Sequence, residues 1–153
     1  MTGSHKNSAQ APVKYNVLLI VAAGLNAIAA LLHIAVMLGG APWYRFFGAG
    51  ERMASAAAAG QWYPLIVTAG ITLILLLWSV YALSGSGVLR KLPMLKPALC
   101  VITAVYLLRG LAVIPLLITA GSQIAPFDTW SSLICLGYGG VHLFGLMQTW
   151  RQL

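Results

Sequence analysis

ALCVITAVYLLRGLAVIPLLITA, running from Ala98 to Ala120, holds a single charged residue, Arg109, at its middle. A helix rising 1.5 Å per residue needs about 20 apolar residues to cross roughly 30 Å of hydrocarbon, and this stretch meets that length. A guanidinium at membrane depth costs roughly 3 kcal/mol on insertion scales, so it must face a bundle interior, water or a counter-charge. Only two acids, Glu51 and Asp128, exist anywhere in the chain. Arg109 therefore has few partners to choose from, and the search for a site starts there.

Three further stretches pass the same length test: Tyr15–Leu38, Trp62–Leu83 and Trp130–Trp150. The 153 residues are 60% hydrophobic and 7% charged, with a mean hydropathy of +0.88. A soluble domain carries about 25% charged residues, so lipid is the expected solvent. Spans in lipid satisfy their own backbone hydrogen bonds and are read as α-helices; no ten-residue alternation points to a barrel. The expected fold is an all-α integral membrane bundle of four up-down helices. Residues 1–14 form a polar tail with His5 in it, and 15–153 form one four-span domain. The first span runs past the h-region of a signal peptide, which favours its retention.

Lys6 and Lys14 precede the first span, Arg90, Lys91 and Lys96 separate the second from the third, and Arg151 follows the fourth. The positive-inside rule then places both termini and the 84–97 loop in the cytoplasm, in what is expected to be a bacterial inner membrane. Trp43, Tyr44, Trp62, Tyr63 and Trp130 would form the outer aromatic girdle, with Tyr15, Tyr81 and Trp150 at the inner face. In the first outer connection, APWYRFF reads as interfacial. GAGERMASAAAAG reads as a short helix with Glu51 in its first turn, where the macrodipole favours an acid. Pro64 and Pro97 fall in first turns, where the missing N–H costs little. Pro115 lies inside the third span and should kink it beyond Arg109.

At steps of three and four, polar residues line one face of each span. The fourth offers Ser131, Cys135, Tyr138, His142, Gly145 and Thr149; the first offers Asn26, Ala30, His33, Met37 and Gly40. The second gives Gln61, Thr68, Thr72, Ser79 and Ala82, and the third Thr103, Tyr106 and Gly110, with Arg109 at the edge. Small and hydroxylated residues at such positions are explained by close helix packing. Ionisable residues inside a membrane are sites by default. The candidate ligand-binding set is Arg109, His33, His142, Glu51, Asn26, Tyr106 and Tyr138. Helical rise puts His33 about 10 Å, and Arg109 and His142 about 16–18 Å, below the outer ends of their spans. The competing structural reading of Arg109 is an ion pair with Glu51 that pins the outer loop.

The favoured expectation is a membrane protein that binds or transports a small anionic or carbonyl-bearing ligand near the outer face. An accessory subunit without chemistry is the alternative. A further one is a redox subunit in which His33 and His142, or Met37 in place of one, ligate a b-type haem and Arg109 faces a propionate or a quinone. No metal cluster, Ser–His–acid set, HExxH or phosphate loop is present to suggest a hydrolase. Cys100 and Cys135 lie in apolar surroundings that keep thiols inert. Partners are expected to be membrane lipids and a homo-oligomer or larger membrane complex. Without a clustered basic patch, nucleic acid is not among them.

Overall fold

The computed structural model describes residues 15–120 and 126–153, so the tail at 1–14, with Lys6, Lys14 and His5, lies outside it. The described residues form seven helices and no strand: α1 Val17–Gly39, α2 Ala41–Phe46, α3 Glu51–Ala58, α4 Trp62–Gly85, α5 Leu95–Leu111, α6 Val113–Ala120 and α7 Pro126–Thr149. Four long apolar helices, Val17–Gly39, Trp62–Gly85, Leu95–Pro115 and Phe127–Thr149, are able to cross a membrane. Their outer surfaces carry exposed Leu31, Leu73, Val101, Leu108, Ile134 and Phe144. A monomer in water rarely exposes so much contiguous apolar area, and the chain is an integral membrane protein.

The spans form a closed ring. α1 packs on α4, α4 on α5, α5 on α7 and α7 back on α1, whereas α1 and α5 face each other diagonally with no close backbone approach. Small residues set the tightest contacts. A Cβ on Gly110 would sit 2.5 Å from Leu136 Cγ, and one on Gly139 would sit 2.7 Å from Leu107 Cδ2. Each helix of the α5–α7 pair thus receives the other's leucine in a glycine notch. Gly145 does the same for Leu19 of α1. The core behind these notches is built from Leu19, Leu75, Leu99, Ile102, Tyr106 and Leu146.

Hydrogen bonds gather one end of the bundle. The Asn16 side chain caps α1 by accepting from Leu19 N–H, and its amide donates to Gln148 Oε1 at 2.8 Å. Its backbone N–H donates to Ser86 O. Ser84 Oγ donates to Arg90 O and accepts from Leu92 N–H, tightening the basic loop after α4. Lys91 and Lys96 then donate to carbonyls of Gln152 and Trp150. Lysines beside a helix C-terminus meet both free carbonyls and the negative end of the dipole.

The opposite end is closed by two helices where the sequence suggests one helix behind an interfacial segment. α2 begins after Gly40 (φ 64°) with Pro42 in its first turn, and α3 begins after Gly50 (φ 90°). Tyr44 is not a girdle residue. It is 3% exposed, and its hydroxyl bonds to Pro64 O at 3.2 Å and Thr68 Oγ at 3.1 Å. With Val36 and Ala54 it forms a small core of its own, because the outward face of α2 is already filled by Trp43, Arg45 and Phe46. The third span is interrupted beyond Arg109, as Pro115 leads one to expect, but closer to it than two turns: the break is at Ala112, next to the Leu111 carbonyl that a proline ring four residues on would strike.

Candidate functional site

The centre of the bundle holds a polar layer supplied by α1, α5 and α7. Tyr106 spans the diagonal and donates its hydroxyl to Asn26 Oδ1 at 2.6 Å. The Asn26 amide donates to His142 Nε2 at 3.2 Å. An NH₂ group can only donate, so Nε2 is the acceptor and the neutral ring carries its proton on Nδ1. Asn26 is 0% and His142 1% exposed, and Nδ1 is buried with no hydrogen-bond partner among the described residues. Aromatic edges complete the layer. The Tyr106 ring meets Trp78, Tyr138 and His142 at centroid distances of 5.1, 5.4 and 5.5 Å. Tyr138 donates to Leu25 O and Ser79 to Ala23 O, fastening α7 and α4 to α1.

Four of the seven expected site residues, Asn26, Tyr106, Tyr138 and His142, therefore meet; the other three do not join them. His142 also lies deeper than the sequence suggests. From Pro126 to His142 is about 24 Å of helix, since α7 starts earlier than Trp130. Thr72 and Thr103 are bonded to carbonyls one turn back in their own helices, the ordinary way for a threonine in an apolar helix.

Arg109 occupies a separate position near the end of α5. Its Nη1 donates to Ser132 Oγ at 3.0 Å and its Nη2 to Ser131 Oγ at 3.1 Å. These serines lie about 8–9 Å from the start of α7, so the guanidinium is shallower than the 16–18 Å that an unbroken third span implies. The residue is exposed at the bundle surface. No carboxylate pairs with it among the described residues. Ser132, 1% exposed, is not on the polar stripe read from the sequence; its spacing to Cys135, Gly139 and His142 puts it on the flank of that same face, which is wider than the stripe.

The competing reading, an ion pair between Arg109 and Glu51, does not hold, and Glu51 pairs elsewhere. Glu51 binds Arg45 of the same loop through Nε at 2.9 Å and Nη2 at 2.7 Å. The two residues are six apart across a glycine turn, and loop closure over so short a distance costs little entropy. Arg45 holds the Glu51 carboxyl below its ordinary value, first through the hydrogen bond and then through its charge, and is itself raised. A lowered carboxylate stabilises the loop at pH above its unfolded value, and that contribution disappears as pH falls through the folded value. Hydrogen exchange in 41–58, corrected for intrinsic rate, should accelerate on acidification from pH 7 to about pH 3. In Glu51→Gln it should already be faster at pH 7, with that acid-dependent step removed. Both side chains are exposed to solvent, so global melting should hardly change.

His33 donates from Nδ1 to Ala29 O at 2.8 Å, within its own helix. It lies about 9 Å from the Gly39 end of α1, well separated along the bundle from the layer containing His142. Two axial ligands of one iron must meet at a common level. With His142 Nε2 also engaged by Asn26, these histidines do not fit a shared haem. No group of three or more His, Cys, Asp or Glu with metal-binding geometry occurs among the described residues. Compared with family models, curated proteins and solved structures, the chain matches none.

Proposed function

We propose that this integral membrane protein binds an anionic or carbonyl-bearing group at Arg109, near the outer end of the α5–α7 pair. The observation that carries the reading is a surface guanidinium steadied by Ser131 and Ser132 that makes no ion pair with a carboxylate among the described residues, although Asp128 lies one turn before those serines. Two of its nitrogens are held by neutral hydroxyls, which fix the fork without cancelling its charge. An oxyanion approaching the remaining N–H groups would gain charge-assisted hydrogen bonds in a medium poor in water. The packed Asn26–Tyr106–His142 layer below favours binding over passage across the membrane, and serves to hold the helices that position the arginine.

In this reading both termini and the 84–97 loop face the cytoplasm, as the lysine and arginine distribution favours. The α2–α3 cap then lies at the outer surface, with exposed Trp43, Phe46, Trp62 and Trp130 at head-group level. The membrane proposed is a bacterial cytoplasmic one. Thermal unfolding in dodecyl maltoside with added dodecyl phosphate tests the site. The melting temperature should rise with ligand, the rise should vanish in Arg109→Leu, and part should return in Arg109→Lys, which keeps the charge but loses the fork. An equal rise in wild type and Arg109→Leu would refute it. The second reading, an accessory subunit, is favoured by the same exposure: a partner's carboxylate could meet Arg109. A native mass spectrum with a stoichiometric second chain that is lost in Arg109→Leu would select it.

A further inference from the structure

The end of the bundle opposite Arg109 carries a groove of about 620 Å³ along the last two turns of α7, with Leu143, Leu146, Met147 and Trp150 on its wall and Arg151 and Gln152 at its mouth. Positions 143, 147 and 150 follow steps of four and three, so they form one continuous apolar strip along the helix. Arg151 lines the groove, and two lysines contact lining residues: Lys96 Nζ lies 4.0 Å from the centre of the Trp150 ring and donates to Trp150 O, and Lys91 donates to Gln152 O. Neither acid is near: Glu51 and Asp128 both lie toward the other end, in α3 and in the first turn of α7. A slot with an apolar wall and a cationic rim asks for a molecule with an acyl chain and an anionic head.

We infer that this groove binds one anionic phospholipid from the leaflet at that end, its acyl chain along Leu143, Met147 and Trp150 and its phosphate at Lys96 and Arg151. The volume lies within the range of ligand sites. Lysine and arginine at the cytoplasmic ends of spans attract anionic lipid heads. The lysines are already drawn to the helix end by carbonyls and by the indole face, so little side-chain freedom is lost on binding. The inference does not depend on the reading of Arg109.

Native mass spectrometry tests it, using delipidated protein offered equal amounts of dioleoyl phosphatidylglycerol and dioleoyl phosphatidylcholine. Wild type should retain one phosphatidylglycerol with about tenfold preference, the scale of a charge-assisted contact. Lys96→Gln/Arg151→Gln should erase the preference, and Met147→Trp, which fills the groove and leaves every charge in place, should lower retention of both lipids. Arg109→Leu should change none of this. Equal retention of the two lipids by wild type, or a preference that survives the double substitution, would overturn the inference. So would a preference lost in Arg109→Leu alone, which would place the lipid at the other end. Should dodecyl phosphate fail to stabilise the protein while the groove keeps its preference, the Arg109 reading fails by itself.

Discussion

Asn26→Leu should lower the stability of the protein by about 2–3 kcal/mol, measured by reversible unfolding in mixed micelles. The substitution keeps the volume but strips the layer of its central amide. Tyr106 O–H then loses its acceptor and His142 Nε2 its donor. Each unsatisfied buried group costs about 1–3 kcal/mol in a water-referenced protein. In membranes the figure shrinks, because unfolded helices also find partners. The companion variant decides whether the hydrogen bond or the packing is responsible. Adding Tyr106→Phe to Asn26→Leu removes the orphaned hydroxyl and should restore roughly 1 kcal/mol. If the double variant is less stable than Asn26→Leu alone, the layer is held by shape and not by its polar bonds.

The second large effect is expected at the glycine notches between α5 and α7. Gly139→Leu places a side chain where Leu107 already stands, with even a Cβ falling 3.1 Å from Leu107 N. Backbone cannot yield as a side-chain tip can, so the helices must part. Overpacking of this kind costs about 1–3 kcal/mol in soluble cores, occasionally more. Gly110→Leu meets Leu136 in the same way, with its Cβ 2.9 Å from Leu136 N. Separation of the pair also carries Ser131 and Ser132 away from Arg109. Gly139→Leu should therefore abolish stabilisation by dodecyl phosphate along with lowering the melting temperature. Gly137→Leu is the control, since nothing lies within 4 Å of a Cβ there, and it should leave both readings close to wild type. Equal losses at Gly137 and Gly139 would mean that membrane glycines are sensitive here for reasons other than the notch.

Much of the plan could be read directly from residue order. The four spans follow from apolar length alone, because lipid leaves a backbone no alternative to a closed helix. Pro64 and Pro97 sit in first turns, as their missing N–H groups require. Asn26, Tyr106 and His142 stand on inward faces because spacing by three and four survives into the bundle. Boundaries were less legible. α7 begins at Pro126, not Trp130, and that shift of one turn changes the depth assigned to His142. The inward face of the same helix is also wider than the stripe, and it takes in Ser132 beside His142 and Thr149.

Tertiary structure alone decided who meets whom. Three ionisable residues expected at one pocket separate into different levels, because depth along a span depends on where each helix starts and breaks. Glu51 had two arginines within conceivable reach, and the short turn between α2 and α3 gave it to Arg45. That choice left Arg109 to the serines of α7. Periodicity fixes which face a residue occupies, since that is a property of one helix. The partner across the interface depends on the relative height and rotation of two helices, and no single segment carries that information.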